Sequence, residues 1–231
     1  MSLAAFPPRE RLTAHLRSLL GAEGLIAAGH LSPAPPEVLG GGGTLILIGP
    51  DPVVFWEIFA ASPEYADGAA HPMDRWSRRV ISRIAADLSS TASCTALFPF
   101  DGPPWHPFQR WAAAGEAARS SPVAMQVTPG RGLWMSYRGA LAVAAELELD
   151  PVPRQDPCLA CHAPCTRTCP VDAFASGQYD VPACTAHVTS GAGLACREGC
   201  LVRRVCPSGV VPPVEQRRFH MAAFLRSQTQ S

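Results

Sequence analysis

Eight of the nine cysteines fall in the last third of the chain, at the spacing of a ligand set. The residues read Cys158-Leu-Ala-Cys161-His-Ala-Pro-Cys165-Thr-Arg-Thr-Cys169-Pro170. Cys184 follows alone, then Cys196-Arg-Glu-Gly-Cys200, and after five more residues Cys206-Pro207. A cubane cluster takes four thiolates, so eight suit two [4Fe–4S] clusters that move single electrons. Close spacing lets one loop wrap a cluster with its backbone N–H groups aimed at the sulfurs. The prolines after Cys169 and Cys206 end each wrapping loop by stopping the turn. Zinc and disulfides are the alternatives. Zinc prefers two short cysteine pairs making one four-ligand site, and clustered thiols in a reducing compartment are more often metal ligands than disulfides.

Other residues of this stretch are open to more than one reading. His162 and His187 could ligate metal, although cysteine already fills both sites. Arg167, Arg203 and Arg204 flank the cysteine loops. They are either a solvated surface or charges that raise cluster potentials and dock an acidic electron donor. Cys94 stands apart and reads as a core thiol.

The elements that must position these residues follow from periodicity. Pro7 and Pro8 open a helix with Leu12, Leu16, Leu19 and Leu20 at helical spacing. Leu25–Leu31 is a short, mostly apolar run. Thr44–Ile48 is rich in β-branched residues between Gly and Pro and reads as a buried strand. Asp51–Ala61 predicts a helix capped by Asp51, with Pro52 in its first turn. In Pro72–Ser89, Trp76, Val80, Ile84 and Leu88 recur every four residues, with Arg75, Arg78, Arg79 and Arg83 on other faces. Ser93–Phe98 predicts a strand and Pro107–Ala118 a helix. Val123–Thr128 and Leu133–Tyr137 predict two strands joined by Pro129–Gly130, the second running on toward Val143. Helices mixed with one sheet predict an α/β or α+β sandwich with an internal pocket. The proline-rich Asp150–Asp156 reads as a linker, which divides the chain into 1–152 and 153–231.

Composition narrows the function. All 19 basic residues are arginine, so no Schiff-base lysine, P-loop lysine or Ser–Lys dyad exists. Gly40 to Gly43 therefore do not open a phosphate loop of the Walker type. The formal net charge is zero, so nucleic acid would need a local basic patch and is not an expected partner. No window approaches a membrane span. The segment Met1–Leu20 reads as an amphipathic helix instead of a signal peptide, so a cytoplasmic location is expected.

From about Ala96 to Pro207 the sequence resembles epoxyqueuosine reductases and, more distantly, cobalamin-processing proteins. The four-cysteine run, then Tyr179-Asp180-Val181-Pro182-Ala183-Cys184, then three cysteines ending in Cys-Pro, follows the order seen in those reductases. Arg131-Gly-Leu-Trp-Met-Ser-Tyr-Arg-Gly-Ala-Leu-Ala-Val143 looks like the strand leading into their cysteines. Asp101-Gly-Pro-Pro104 and Ala114-Gly115 match their Asp-x-x-Pro and Ala-Gly spacing. The resemblance implies an α+β protein: a nitroreductase-like sandwich able to hold a corrinoid, then a small bacterial-ferredoxin-like domain. It implies that Asp101 donates a proton. In two-cluster ferredoxins the fourth cysteine of one run ligates the other cluster. Carried over, Cys158, Cys161, Cys165 and Cys206 hold cluster one, and Cys169, Cys184, Cys196 and Cys200 hold cluster two. The gap of three residues after Cys161, and the gaps of three and five in the last run, are wider than the usual ferredoxin spacing. The chain ends soon after its last cysteine, so the helical repeats that help those reductases hold tRNA are expected to be missing.

Two functions follow. One is an electron-transfer protein that exchanges electrons with a redox partner. The other is an oxidoreductase that reduces cobalamin, or uses it, in the first domain. Its pocket would lie between the Phe98–Trp105 loop and the Leu133–Arg138 strand, lined by Phe100, Trp105, Trp134 and Tyr137. Phe100, Pro103, Pro104 and Trp105 would form a dry wall that disfavours charge on Asp101.

Overall fold

The computed structural model describes residues 8–229. Pro7, the expected start of the first helix, lies outside the described residues. The chain forms two compact units. One holds the chain up to Ala117 together with Ser136–Arg154. The other holds Ala118–Met135 and the chain from Gln155 onward.

Helix α1 (Pro8–Ala22) leads into strand β1 (Leu25–Leu31). A short helix α2 (Pro36–Leu39) precedes strand β2 (Thr44–Pro50), buried at all seven positions. Asp51 accepts hydrogen bonds from the Val53 and Val54 N–H groups at 2.8 and 3.1 Å. This turn delays helix α3 to Phe55–Ala60, later than the sequence suggests. Helices α4 (Pro63–Ala66) and α5 (Pro72–Leu88), strand β3 (Cys94–Leu97) and helix α6 (Phe108–Gly115) follow. On α5, Trp76, Val80, Ile81, Ile84 and Leu88 are all buried. Trp76 meets Phe55 and Phe59 edge-on at 5.5 and 5.9 Å. Burying each such side chain contributes about 1.5–3 kcal/mol. The arginines of α5 are paired: Arg75 with Asp67 at 2.8 Å, Arg79 with Glu64, Arg83 with Glu23 and Arg78 with Asp101.

The chain then enters the second unit through strands β4 (Arg119–Ser120) and β5 (Gln126–Val127), which pair with each other. It returns to the first unit as strand β6 (Gly139–Val143). The residues Leu133–Tyr137 are not a strand; pairing starts at Gly139, opposite Ile48 of β2. The four-stranded sheet is antiparallel throughout, in the order β1-β2-β6-β3. Its two central strands are buried on both faces, which is why they read as unbroken apolar runs. Gly29 and Gly115 let β1 and the end of α6 touch. A Cβ on Gly29 would sit 2.6 Å from the Gly115 carbonyl oxygen.

From Gln155 the second unit is built of loops and short helices: a 3₁₀ turn at Pro164–Arg167, then α7 (Val181–Thr189), α8 (Leu194–Arg197) and α9 (Leu201–Arg204), and the longer α10 (Val214–Thr229). The protein is thus a mixed helix-and-sheet structure. No described helix is long and apolar enough to cross a membrane.

Candidate metal centre

The cysteine unit has a core partly made of its thiols. Val123, Val127, Leu133, Cys165 and Val202 are buried together, with Cys158, Cys169, Cys200 and Cys206 packed against them. A second cluster centres on Val188, Cys196 and Met221, with Cys184 and Cys200 at its edge. All nine cysteines are free thiols.

The thiols fall into two groups of four. Cys158, Cys161, Cys165 and Cys206 line one small hollow, walled by Val127, Leu133 and prolines. Burial raises the Cys158 thiol above its ordinary pKa, and the charges of Asp156, Cys161, Cys206 and Cys165 add to it. Burial likewise raises Cys165, followed by Cys206 and Cys161. The other group is mutually coupled in the same way. Burial raises Cys196, followed by Cys200, Cys184 and Cys169. Burial raises Cys184 too; a Tyr179 hydrogen bond opposes this, and Cys200 and Cys169 add to it. Each set therefore takes its fourth member from the other run of sequence. Four thiols around a hollow, in a dry wall, suit a cluster that carries its own iron and sulfide. Among the described residues, no three His, Cys, Asp or Glu side chains converge to hold a single metal ion.

Local folding explains the placement. Backbone N–H groups reach sulfur: Ala163 to Cys161 at 3.4 Å and Ala173 to Cys169 at 3.3 Å. Ala163 has φ 47, a left-handed conformation that turns the wider Cys161–Cys165 loop back on itself. Asp180 caps α7 by accepting from the Ala183 N–H at 2.9 Å, which seats Cys184 on the first turn.

The strap 118–135 is the part that sequence reasoning assigned to the other domain. It brings Val123, Val127 and Leu133 into the thiol core. Its tight turn bridges Thr128 to Gly132, and Gly130 and Arg131 bridge to Gly209. A Cβ on Gly209 would lie 2.4 Å from the Arg131 carbonyl carbon, and one on Gly132 would lie 3.0 Å from Cys206 Sγ. Ser208 adds a hydrogen bond to the Thr128 carbonyl at 3.3 Å. Arg203 is not a plain surface charge. It donates to the Leu133 carbonyl at 2.7 Å and its guanidinium lies 5.8 Å from the Trp134 ring centre. Burial lowers its pKa, while Cys200 and Tyr179 oppose the shift. Arg167 and His162 are exposed, and Arg204 and His187 are half-buried.

The residues expected to line a corrinoid pocket come from both units. Asp101 is not behind a dry wall: its carboxylate is held by Arg78, and its side chain is 39% exposed. Pro103 and Pro104 are exposed and Trp105 is 63% exposed, because the loop turns outward. Phe100 stacks on Phe98 at 5.2 Å, with Arg78 over both rings. Tyr137 lies beside Phe108 and donates to Glu116. Trp134 belongs to the cysteine unit, 6.2 Å from the His220 ring. Cys94 is half-buried on β3, and burial pushes its thiol up to about 11.

No family model matches the chain, and no curated protein matches it. The expected resemblance to epoxyqueuosine reductases is found among solved structures. The chain is similar to an epoxyqueuosine reductase crystallised with an epoxyqueuosine-modified tRNA-Tyr stem loop, at 20% identity and TM-score 0.39, over 66% of this chain and 41% of that one. It is also similar to epoxyqueuosine reductase from Bacillus subtilis with its catalytic loop swung out, at 18% identity and TM-score 0.39, over 62% of this chain and 43% of that one. The chain spans about two fifths of the length of these reductases.

Proposed function

We propose that this protein transfers electrons through two [4Fe–4S] clusters in its second unit. Cys158, Cys161, Cys165 and Cys206 hold one, and Cys169, Cys184, Cys196 and Cys200 the other. The observation that carries the reading is the sorting of eight thiols into two groups of four, each completed across the sequence. Such clusters, once bound, supply one-electron reduction and oxidation. The protein supplies what the clusters need: dry walls from Val127, Leu133 and Val202, and the N–H groups of Ala163 and Ala173 on sulfur. Holding four thiolates without metal is costly, first because burial disfavours their charge and then because they repel one another. Iron offsets that cost, so loading and folding of this unit are linked. The partner is a one-electron carrier in the cytoplasm. The ferredoxin-like reading of the second unit and the nitroreductase-like reading of the first belong to this proposal. Asp101, paired with Arg78, and Trp105, which faces solvent, do not favour the cobalamin alternative. Anaerobic reconstitution followed by iron and sulfide analysis tests the proposal. About eight of each per chain is the expected result; zinc uptake without iron is the result that overturns it.

A further inference from the structure

The two thiol groups are matched in burial. Each has one buried cysteine, Cys165 or Cys196, and three half-buried ones. Each also has backbone N–H groups on sulfur, among them Ala163 on Cys161 at 3.4 Å and Ala173 on Cys169 at 3.3 Å. Their charged surroundings differ. Beside the first group stands Asp156, whose carboxylate accepts from the Cys158 N–H at 2.8 Å and whose charge acts on that thiol. Beside the second stand two donors. Arg203, fixed between the Leu133 carbonyl and the Trp134 ring, acts on Cys200. Tyr179, stacked on Phe174 at 4.8 Å, gives its hydroxyl to Cys184 Sγ. Of the carboxylates near this group in sequence, Asp180 caps α7 and Glu198 pairs with Arg218 at 2.8 Å, while Asp172 follows Cys169 by three residues and is not among the charges that act on Cys184 or Cys196.

We propose that the two centres are unequal: the Cys169–Cys184–Cys196–Cys200 centre has the higher reduction potential, set by Arg203 and Tyr179, and the Cys158–Cys161–Cys165–Cys206 centre the lower, set by Asp156. This rests on the two-cluster reading above. Reduction places one more negative charge on a centre. A cation and an O–H donor at the ligand sulfurs favour that charge, and a carboxylate opposes it. The Trp134 ring beside the guanidinium and the half-buried position of Arg203 weaken screening by water, so its field counts for more than that of an exposed arginine. One electron given by dithionite, which is itself oxidised, therefore settles on the second centre.

The test is a potentiometric titration of the reconstituted full-length protein with dithionite, read by electron paramagnetic resonance at low temperature. Two separate midpoints are expected. Arg203→Gln and Tyr179→Phe should each make the higher centre about tenfold harder to reduce, about 59 mV for one electron, and leave the lower centre in place. Asp156→Asn should make only the lower centre easier to reduce. Tyr179→Phe keeps the stack on Phe174 and removes only the hydroxyl, so it decides the matter even where Arg203→Gln fails to load. The inference is overturned if Tyr179→Phe shifts the lower centre or neither, or if Asp156→Asn shifts the higher. A protein that takes up no iron and sulfide overturns the two-cluster reading as well. One that loads both clusters but shows coincident midpoints overturns this inference alone.

Discussion

The first unit holds ten arginines against fourteen carboxylates, and the second nine arginines against five. The zero net charge of the chain is the cancellation of two opposite excesses. Their cores differ in the same sense. The first is closed by aromatic and aliphatic side chains, with Phe55, Phe59, Trp76 and strands β2 and β6 fully buried. The second is closed by a few aliphatic residues and the thiols themselves. Thiolate-bound cubanes carry net negative charge, and an arginine-rich unit suits them. The difference teaches that the first unit closes its core with its own side chains, while the second, if it holds the clusters proposed above, would draw stability from them.

Iron removal is the most direct way to break that contrast. Chelation under reducing conditions should collapse protection in the second unit and spare the first, because binding free energy there is folding free energy. Hydrogen exchange read by mass spectrometry should show amides of α7 and α9 exchanging freely while those of β2 and β6 stay protected. Equal loss in both units would remove the distinction. Next in size is the effect of a single ligand. Cys206→Ala should take iron from about eight to about four per chain and spare the Cys169 group, although Cys206 belongs to the last run. If the second group is the one lost, the pairing is wrong. In the first unit, Trp76→Ala should cost about 3–5 kcal/mol of stability by opening a cavity between Phe55 and Phe59, measured by urea unfolding. Gly209→Ala should cost about 1–3 kcal/mol by overpacking against Arg131 and lower iron retention at the Cys206 group on dilution. The smallest effect is on Cys94. Its folded pKa lies near 11, above the ordinary value of 9.0, so the unfolded chain ionises first as pH rises. The thiol's stabilising contribution is complete below 9.0 and is lost as pH climbs through about 11. Unfolding midpoints should therefore fall more steeply with pH over that window than those of Cys94→Ala.

What was legible in the sequence was local. Helix α5 declared itself by Trp76, Val80, Ile84 and Leu88, and β2 by its apolar run. The cysteine sets were sorted only through the likeness to two-cluster ferredoxins, since Cys169, Cys184 and Cys196 stand 15 and 12 residues apart. What was not legible depended on distant partners. Leu133 reads as a strand residue, yet an apolar residue does not say which core it enters, and it enters that of Cys165 and Val202. Asp101 looked walled in by its neighbours Pro103, Pro104 and Trp105. Its actual partner, Arg78, lies 23 residues earlier, on a helix whose arginines gave no sign of which acids they meet. The contact of Gly130 and Arg131 with Gly209 is made by backbone, so no side-chain pattern could announce it. Tyr179 and Arg203 lie among the cysteines, but only their orientation shows which sulfurs they serve.

The position of β6 bears on how the chain is made. It is the last strand of the sheet to leave the ribosome, yet it takes its place between β2 and β3. Until Gly139–Val143 emerges, β2 has a partner on one side only, and β3 has none in the sheet. The nascent protein therefore carries an open, strongly apolar strand edge at Thr44–Ile48 throughout synthesis of everything up to and including the strap, and such an edge invites pairing with other chains. Its closure by β6 is a late, long-range step of the kind that slows folding.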